Sequence, residues 1–403
     1  MDLKTADDAV MHRIRAMVER VQWGHDNNYY YYNQPVEEIK GGSKVIVHGR
    51  EMGMYASYSY LGLIGHPRIN AAAKAAVDKF GTGTHGVRSL AGSLTIHTEL
   101  EATIAEFKHA EAAITYSSGY STNLSVISTL MGRGDYVLSD KLNHASIVDG
   151  CLMSGAEFRR FKHNDITDLE HRLEQVPAGA SKLVIADAVF SMDGDVIDLP
   201  KVVELCRRHG AWLMIDEAHS VGVLGKTGRG IEEHFGLGDV VDIKMGTLSK
   251  TIPSVGGYVA ARKEVIQYLR HASRAYIFSA ALPPAQTAAA DEAFKIILDE
   301  PWRIEKLNQN ASQFISGLKG MGFDTMLTST AIVPVLCGPD EKAYQLTRDC
   351  QLNDVFVLPV VSPAVPEGLA RLRATVTAAH EPEEIRRAMD VIGKAGKELG
   401  LIA

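Results

Sequence analysis

From about residue 110 the chain alternates between short apolar runs and amphipathic stretches. Helix-type stretches such as 120–131 and 199–209 separate the runs. Strands that alternate with helices favour a mostly parallel sheet covered on both faces. The alternation therefore predicts a large central α/β domain. The runs that predict strands are 135–139, 182–190, 211–216, 240–245 and 256–261.

Further segments lie on both sides of this region. The alanine-rich stretch 69–80 predicts a helix before it, and long helical stretches follow Pro283 and Pro284. A strand-and-helix pattern then occupies residues 330–403, so we expect both termini to build a second, smaller α/β domain. The predicted division is an N-terminal segment at 1–58, the large α/β domain at 59–285 and the small domain at 286–403.

Charge and composition exclude several classes of protein. A net charge of −7 over 403 residues argues against binding to nucleic acid or to an anionic membrane surface. No apolar run approaches the roughly 18 residues that a membrane-spanning helix needs. The first 21 residues are acidic and then amphipathic, without the apolar stretch of a leader. We therefore expect a soluble cytoplasmic protein, and four scattered cysteines without zinc-type spacing fit a reduced compartment.

Polar side chains follow the predicted strands at the points where these end. Asp216 and His219 follow the run 211–216, and Lys250 follows the run 240–245. His144 comes just after the run 135–139. Ligands of open α/β sheets bind outside the carboxyl ends of the strands, so these side chains are expected at one edge. A short apolar run also ends in Ser118, Gly119 and Tyr120 before a helix, which is a natural site for a phosphate.

Taken singly, each of these residues has a simpler structural interpretation as a helix cap, a hydrogen-bonded core histidine or a surface lysine. Together they match the needs of pyridoxal 5′-phosphate (PLP). This cofactor needs a lysine for its aldehyde, a carboxylate for its pyridine nitrogen, a flat group over its ring and a phosphate-binding helix N-terminus. Lys250 also lies in a run of small residues, "GTLSKTIPSVGG", that lets a cofactor approach its nitrogen. The sequence therefore predicts a PLP site.

Three other segments resemble binding motifs but have structural interpretations. "GTGTHG" at 81–86 fits a dinucleotide-binding pattern, yet it follows a predicted helix instead of a strand. "GKT" at 225–227 resembles the end of a phosphate-binding loop, but Ser220 stands where the first glycine belongs, so turns are expected. Four tyrosines at 29–32 favour a loop or packing role, with a ligand entrance as the alternative.

Several segments resemble the α-oxoamine synthase family of PLP enzymes, which have the fold type I (aspartate aminotransferase-like) architecture. The most specific are "DEAHSVGVLGKTGRGIEEHFG" (216–236) and "GTLSKTIPSVGGYVA" (246–260). The resemblance runs nearly end to end, from "YLGLIGHP" (60–67) through "GTHGVRSLAGSLTIHTELE" (83–101) to "ARLRATVTAAHEPEEI" (370–385). "ISTLMGRGDYVLSDKLNHASIVDGC" and "VFSMDGDVIDLP" are most similar to the bacterial serine palmitoyltransferase branch and related stand-alone synthases.

The resemblance implies a role for each residue of the cofactor site. Lys250 forms the Schiff base, and Asp216 pairs with the pyridinium nitrogen. His219 hydrogen-bonds the 3′-oxygen of the ring, and His144 stacks on the ring face. Members of the family are dimers with composite sites, so a homodimer is implied. The phosphate-binding residues implied are Ser118, Gly119, Tyr120, Thr247 and Ser249, with Ser279 supplied by the neighbouring subunit.

The resemblance also implies substrate-binding residues. Arg371 and Arg373 lie on the same face of a predicted strand, and without the family match both would be interpreted as solvated edge charges. The distance to His380 in "RATVTAAH" matches Arg373 to the arginine that binds the amino-acid carboxylate. The segment before "YLG" lacks the asparagine that many members carry. Ser59 in that segment and His85 are the further substrate-binding residues that we expect.

The activity implied is a decarboxylative condensation by a PLP-dependent acyltransferase. An L-amino acid, with serine favoured, would react with a long-chain acyl thioester to give an α-amino ketone, CO2 and free thiol, as in sphingolipid synthesis. Acyl-CoA and acyl-carrier protein are both open as donors. The alternatives are a secondary-metabolite synthase that uses alanine or glycine, an aminotransferase of the same fold, and a non-catalytic partner subunit.

Overall fold

The structure, a computed structural model, describes residues 9–403. Residues 1–8, the acidic start of the predicted N-terminal segment, lie outside the described residues. Among residues 9–403, no helix is long and apolar enough to cross a membrane. The first elements in chain order are α1 (Ala9–Asp26), β1 (Glu38–Lys40), β2 (Lys44–Val47), β3 (Arg50–Met54), α2 (Pro67–Phe80) and α3 (Thr95–Phe107).

The middle of the chain alternates strand and helix, as its sequence predicts. The elements are β4 (Ala112–Tyr116), α4 (Gly119–Leu130), β5 (Tyr136–Asp140), α5 (Ala145–Ser154), β6 (Glu157–Phe161), α6 (Ile166–Glu174), β7 (Lys182–Asp187), α7 (Leu199–His209), β8 (Trp212–Asp216), α8 (Ile231–His234), β9 (Ile243–Thr247) and β10 (Gly257–Ala261). These strands form one seven-stranded sheet in the order β4-β10-β9-β8-β7-β5-β6. All neighbours from β9 to β6 are parallel, whereas β10 is antiparallel to both of its neighbours. The prediction of a mostly parallel sheet is confirmed.

The sheet is buried on both faces, which explains why its strands are almost continuously apolar. Along β7, Val184 packs into one hydrophobic cluster and Ile185 into the other. Ile215 and Met214 of β8 divide in the same way between the two clusters. Because successive side chains of a strand point to opposite faces, the apolar residues in the middle of these strands contribute alternately to the two cores.

The end of the chain supplies the remaining elements. They are α9 (Lys263–Ala272), α10 (Arg274–Ile277), α11 (Pro284–Asp299), α12 (Trp302–Gly320), β11 (Ile332–Gly338), α13 (Asp340–Leu352), β12 (Val355–Phe356), β13 (Pro359–Val360), β14 (Ala370–Thr375) and α14 (Pro382–Glu398). They form a three-stranded sheet in the order β11-β14-β13, and β12 pairs with β3 in a four-stranded sheet. Both termini therefore build the smaller domain, as predicted. The domain boundaries at 58/59 and 285/286 stay predictions.

Capping residues fix where the helix that leads into β8 begins and ends. The Asp198 side chain caps the first turn of α7, and Pro200 occupies a position near its start where no amide donor is needed. Gly210 ends the helix in the left-handed conformation, at φ 61°, which glycine adopts without strain. The chain therefore turns directly into β8, whose last residue is Asp216.

Candidate active site

A cavity of about 250 Å³ opens at the carboxyl ends of β5, β7, β8 and β9, next to the first turn of α4. This is the edge at which an open α/β sheet binds its ligands. All of the predicted cofactor-binding residues except Ser279 line this cavity. The lining residues are Ser118, Gly119, Tyr120, Asn123, His144, Ser146, Asp187, Ser191, Asp216, Ala218, His219, Met245, Thr247, Ser249 and Lys250.

One end of the cavity is suited to an anion. The Ser118 side chain caps α4 by accepting a hydrogen bond of 3.0 Å from the Ser121 amide. The hydroxyl oxygens of Thr247 and Ser249 lie 2.8 Å apart beside this turn. A Cβ at Gly119 would lie 2.9 Å from the Thr247 hydroxyl, so glycine keeps the helix end accessible. Free amide groups of a helix N-terminus together with hydroxyls are suited to a phosphate, and the phosphate-binding roles stay predictions.

A carboxylate is fixed on the floor of the cavity. Asp216 is buried, and its two oxygens accept hydrogen bonds of 2.7 Å from the Asn123 amide group and 2.9 Å from the Ala218 backbone N–H. Both donors are neutral, so they orient the carboxylate without cancelling its charge. This arrangement suits a protonated pyridine nitrogen as the partner of Asp216. The sequence analysis did not identify Asn123, because it lies inside the apolar helix α4.

Lys250, His219 and Tyr60 form a chain of hydrogen bonds. The Lys250 Nζ lies 2.7 Å from Nε2 of His219, and Nδ1 of His219 lies 2.6 Å from the Tyr60 hydroxyl. Burial, helped by the positive charge of Lys250, lowers the pKa of His219 well below its usual range, so the imidazole is neutral. Burial also lowers the pKa of Lys250 to about 8. A larger share of this lysine is therefore the uncharged amine, which is the form that attacks an aldehyde.

His144 and Asp187 form the wall opposite the amine. His144 caps α5, because its Nδ1 accepts a hydrogen bond of 3.2 Å from the Ser146 amide. Its own backbone N–H donates to a carboxylate oxygen of Asp187 at 3.0 Å. Burial lowers the pKa of His144, which leaves a flat, neutral ring at the cavity. The predicted stacking of His144 on the cofactor fits this geometry and stays a prediction.

Asp187 is a site residue that the sequence analysis missed. It ends β7 directly opposite Asp216 of β8 and is fully buried at the same edge. Burial, together with the negative charge of Asp216, raises the pKa of Asp187 well above its usual range. The sequence signal was present, since "KLVIAD" ends in an aspartate as "WLMID" does. The predicted strand extended to residue 190 because "AVF" continues the apolar pattern, so Asp187 was not interpreted as the end of the strand.

The two arginines of β14 are buried, so their interpretation as solvated edge charges is wrong. β14 is the middle strand of its sheet, which removes both side chains from solvent. Arg371 forms an ion pair with the carboxylate of Asp193 and donates to the Leu369 carbonyl. It is therefore committed to contacts within the protein and is not turned toward the Lys250 cavity.

Arg373 lies near Lys250. Its guanidinium carbon is 4.8 Å from the ring centre of Tyr58, and the Lys250 Nζ is 5.8 Å from the same ring. Arg373 Nε donates to the Ser191 carbonyl at 2.6 Å. Its buried Nη2 has no hydrogen-bond partner among the described residues. Tyr58 was missed because no regular element carries it, and only the tertiary fold brings it close to both Arg373 and Lys250.

Arg373 and three other predicted residues do not line the cavity itself. Ser59 is buried, and its hydroxyl has no hydrogen-bond partner in residues 9–403. His85 is exposed in the segment after α2, with φ 60°. Ser279 is half-buried between α10 and α11. The roles of Ser59 and His85 in substrate binding, and of Ser279 in the site of a neighbouring subunit, stay predictions.

The site as a whole fits PLP. The helix end and hydroxyls would hold the phosphate, Asp216 the ring nitrogen and Lys250 the aldehyde, and the neutral ring of His144 lies alongside. The competing motifs have the structural roles expected. "GTGTHG" follows helix α2, and the glycines around "GKT" make turns with positive φ, such as 85° at Gly225.

Comparison with known proteins agrees with this geometry. The aminotransferase class I and II family model matches residues 55–392. The chain is 44% identical over 373 residues to 8-amino-7-oxononanoate synthase of Thermoanaerobacter pseudethanolicus, covering 92% of this chain and 94% of the relative. It is 41% identical over 377 residues to 8-amino-7-oxononanoate synthase 1 of Bacillus subtilis, covering 94% and 96%.

Solved structures give the same grouping. Serine palmitoyltransferase from S. paucimobilis, with a bound PLP–myriocin aldimine, superposes with a TM-score of 0.95 at 35% identity, covering 98% of this chain and 100% of that chain. An 8-amino-7-oxononanoate synthase from Francisella tularensis superposes with a TM-score of 0.74 at 28% identity, covering 85% and 97%. The similarity therefore extends over both domains.

Proposed function

We propose that this chain joins a small L-amino acid to an acyl thioester with loss of CO2. The chain belongs to the aminotransferase class I and II family and within it to the PLP-dependent α-oxoamine synthases. It is an acyltransferase of fold type I. The products would be an α-amino ketone, CO2 and a free thiol. The observation that carries the proposal is the position of Arg373 and Tyr58 beside Lys250.

The surroundings of Lys250 support an amino acid as the first substrate. A carboxylate bound by Arg373 could accept two parallel hydrogen bonds, one of them from the unpartnered Nη2. Arg373 and Lys250 both lie within 6 Å of the Tyr58 ring centre, so a substrate held by its carboxylate would lie beside this ring. Arg373 would hold the carboxylate until it leaves as CO2.

Lys250 would act as the base that removes the α-proton. Its pKa of about 8 lies close to neutral pH, which is favourable for a group that must accept and return a proton. Neutral His219 keeps Nε2 within hydrogen-bonding distance of the Lys250 Nζ and so orients the amine. Bound PLP would supply an electron-accepting ring for the negative charge that develops at the α-carbon.

The comparisons change the order of the amino-acid candidates. The sequence analysis favoured serine, but relatives more than 40% identical are 8-amino-7-oxononanoate synthases, which use alanine with a pimeloyl thioester. Similarity to serine palmitoyltransferase is at 35% identity. We therefore place alanine first and serine second as the amino-acid substrate. Sphingolipid synthesis, which starts from serine, accordingly becomes the second candidate pathway.

A second cavity supports the acyl thioester as the other substrate. It has a volume of about 450 Å³ and lies between α1 and residues 359–364 of the small domain. Apolar and aromatic side chains form most of its wall, which is typical of a site for an alkyl chain. Met192 lines this cavity, and the preceding residue, Ser191, lines the Lys250 cavity. The acyl chain would therefore lie close to the reacting carbon.

The tyrosine run at 29–32 takes part in packing and also lines the second cavity, so a ligand-contacting role stays a proposal. Tyr29 stacks on Tyr344 with ring centres 5.3 Å apart, and Tyr31 is buried. Tyr29, Tyr30 and Tyr32 also line the second cavity. The packing contacts fix the wall of this cavity, and the exposed parts of the rings would contact the acyl chain.

The proposal includes a homodimer with composite sites. Leu90 and Phe278, 83% and 72% exposed, lie on two segments that are joined by a bridge between Val87 and Ala280. Large exposed apolar side chains on neighbouring segments are typical of an interface. Ser279 follows Phe278 directly, so an interface there would bring Ser279 close to the partner chain.

A substrate matrix tests the function. Alanine, serine and glycine are each combined with pimeloyl-CoA and palmitoyl-CoA, and the α-amino ketone, CO2 and free thiol are measured. At least one pair should give all three products in equal amounts, and the Lys250→Ala variant should give none. Formation of a keto acid without CO2 or thiol would instead assign an aminotransferase.

A further inference from the structure

A hairpin of the large domain reaches the amino-acid end of the site. Val189 and Val196 form an antiparallel bridge, and the Phe190 and Gly194 amides close the loop with hydrogen bonds of 3.0 and 2.8 Å. We call residues 189–196 the 189–196 hairpin. These two bonds lie within the hairpin and define its turn.

The small domain contacts one side of this hairpin. Arg373 Nε donates to the Ser191 carbonyl at 2.6 Å, and Arg371 forms an ion pair with Asp193. The Gly194 carbonyl accepts a hydrogen bond of 3.0 Å from the Thr330 hydroxyl. Gly194 has φ 73°, and a Cβ there would lie 2.2 Å from the Ile332 carbonyl, so glycine is required at this contact.

His163 holds the hairpin from the large-domain side. Its Nε2 lies 2.9 Å from a carboxylate oxygen of Asp195, and its Nδ1 lies 3.1 Å from one of Asp140. Carboxylates only accept, so both ring nitrogens donate and the side chain is an imidazolium. Burial opposes this charge, but the two carboxylates outweigh it and raise the pKa of His163 to about 10. The cation therefore joins the end of β5 to the hairpin at neutral pH.

We propose that His163 is a positioning residue for the amino-acid substrate, acting through Asp195 and the 189–196 hairpin on the guanidinium of Arg373. The proposal rests on the proposed role of Arg373. Without the cation, Asp140 and Asp195 would face each other as two carboxylates and repel. The hairpin would shift, and the Ser191 carbonyl that fixes Arg373 Nε would shift with it.

The test compares two variants with the wild type. Each protein is purified with PLP bound and is assayed in the oligomeric state in which it is purified. His163→Gln removes the charge, and Asp195→Asn removes the same ion pair from the other side. His163→Gln should raise the KM for the amino acid roughly two- to thirtyfold, the range found for couplings through an intermediate element. Asp195→Asn loses the ion pair but leaves no two carboxylates to repel, so its rise in KM should be smaller. The kcat, the KM for the acyl thioester and the absorbance of bound cofactor should stay at wild-type values. His171→Gln, a matched change on α6 where the side chain's one hydrogen bond within residues 9–403 is to Gln175, should change nothing.

A double-mutant cycle separates positioning from a structural role. In the Arg373→Ala background, His163→Gln should cause no further rise in the KM for the amino acid, because the group on which it acts is gone. Hydrogen exchange of the Gly194 amide in the cofactor-free protein should be faster in His163→Gln than in the wild type. An unchanged KM in both single variants, or a full additional rise in the Arg373→Ala background, would overturn the proposal. If Arg373→Ala itself left the KM unchanged, the proposed amino-acid site would fail independently of His163.

Discussion

Asp187 and Asp216 lie opposite each other at the ends of the neighbouring parallel strands β7 and β8, and both line the Lys250 cavity. Their surroundings differ. Asp216 accepts hydrogen bonds from the Asn123 side chain and the Ala218 amide, whereas Asp187 accepts one from the His144 amide. Two buried carboxylates this close do not both ionise readily. We therefore assign the negative charge to Asp216 and the proton to Asp187.

This assignment predicts the effect of Asp187→Asn on stability. Burial and the charge of Asp216 raise the pKa of Asp187, so the folded state holds a proton at pH values where the unfolded chain has lost it. The wild type therefore loses stability as the pH rises above the ordinary aspartate pKa, and asparagine does not. In urea unfolding of the cofactor-free protein, the free energy of unfolding of Asp187→Asn relative to that of the wild type should increase between pH 4 and pH 8.

The matched variant Asp216→Asn should behave differently. It removes the charge that would face the pyridine nitrogen, so cofactor affinity and turnover should both fall, while Asp187→Asn keeps the bond to the His144 amide through its own amide oxygen. An equal stability difference between Asp187→Asn and the wild type at the two pH values would show that Asp187 has no raised pKa.

Lys250→Ala should abolish turnover and leave a folded protein. Loss of a positioned acid–base group alone costs about 10²–10⁴-fold in rate, and the covalent link to the cofactor is lost as well. Borohydride reduction followed by peptide mass spectrometry should find the cofactor on Lys250 in the wild type and on no peptide of the variant. The exposed Lys226 provides the control, because Lys226→Ala should keep both the adduct and the rate. A reduced adduct on another lysine would remove Lys250 from its role.

The proposed dimer is tested with two leucines of nearly equal exposure. Leu90 is 83% exposed beside the Val87–Ala280 bridge, and Leu327 is 84% exposed in the small domain. Leu90→Asp should dissociate the dimer in sedimentation velocity and lower activity, because a charge would be buried without a partner. Leu327→Asp should remain dimeric and active. A fully active wild-type monomer would contradict the composite site, including the role of Ser279.

The rule that ligands bind at the carboxyl ends of the strands predicted those cavity residues that closely follow a regular strand. Asp216, Lys250 and His144 each follow a strand whose apolar pattern is clear from the sequence, and the structure brings them into one cavity. Edge strand β6, "EFRRF", was missed because its exposed face is charged and its pattern is weak. Its absence from the prediction did not change the site, since it lies on the far side of β5.

Residues that are positioned by tertiary contacts could not be predicted from the sequence pattern. Tyr58 and Tyr60 lie in an irregular segment that is held by the small domain, where the Thr375 amide donates to the Tyr55 carbonyl and the Ala378 amide to the Tyr60 carbonyl. No local periodicity marks such a segment. The same applies to the hairpin contact of Arg373, which joins residues 182 positions apart in the chain.

The choice between the two arginines of β14 gives the last prediction, which concerns substrate affinity. Arg373→Ala should keep bound cofactor but raise the KM for the amino acid about ten- to more than a hundredfold, since a charge-assisted hydrogen bond to a carboxylate contributes about 1.5–3 kcal/mol. Arg373→Lys should recover only part of this affinity, because an ammonium group cannot form the two parallel hydrogen bonds of a guanidinium. The KM for the acyl thioester is the internal control and should not change.

Arg371→Ala should affect stability instead of substrate affinity. The Arg371 side chain is buried against Asp193, and removing one partner of a buried ion pair costs about 3–5 kcal/mol. Urea unfolding of both variants should therefore be measured together with their KM values for the amino acid. A large loss of stability in Arg371→Ala with a large rise in KM in Arg373→Ala would assign structure to one arginine and substrate binding to the other. Equal amino-acid KM values for the wild type and Arg373→Ala would remove Arg373 from the site and leave its guanidinium with the structural contacts to Ser191 and Thr375.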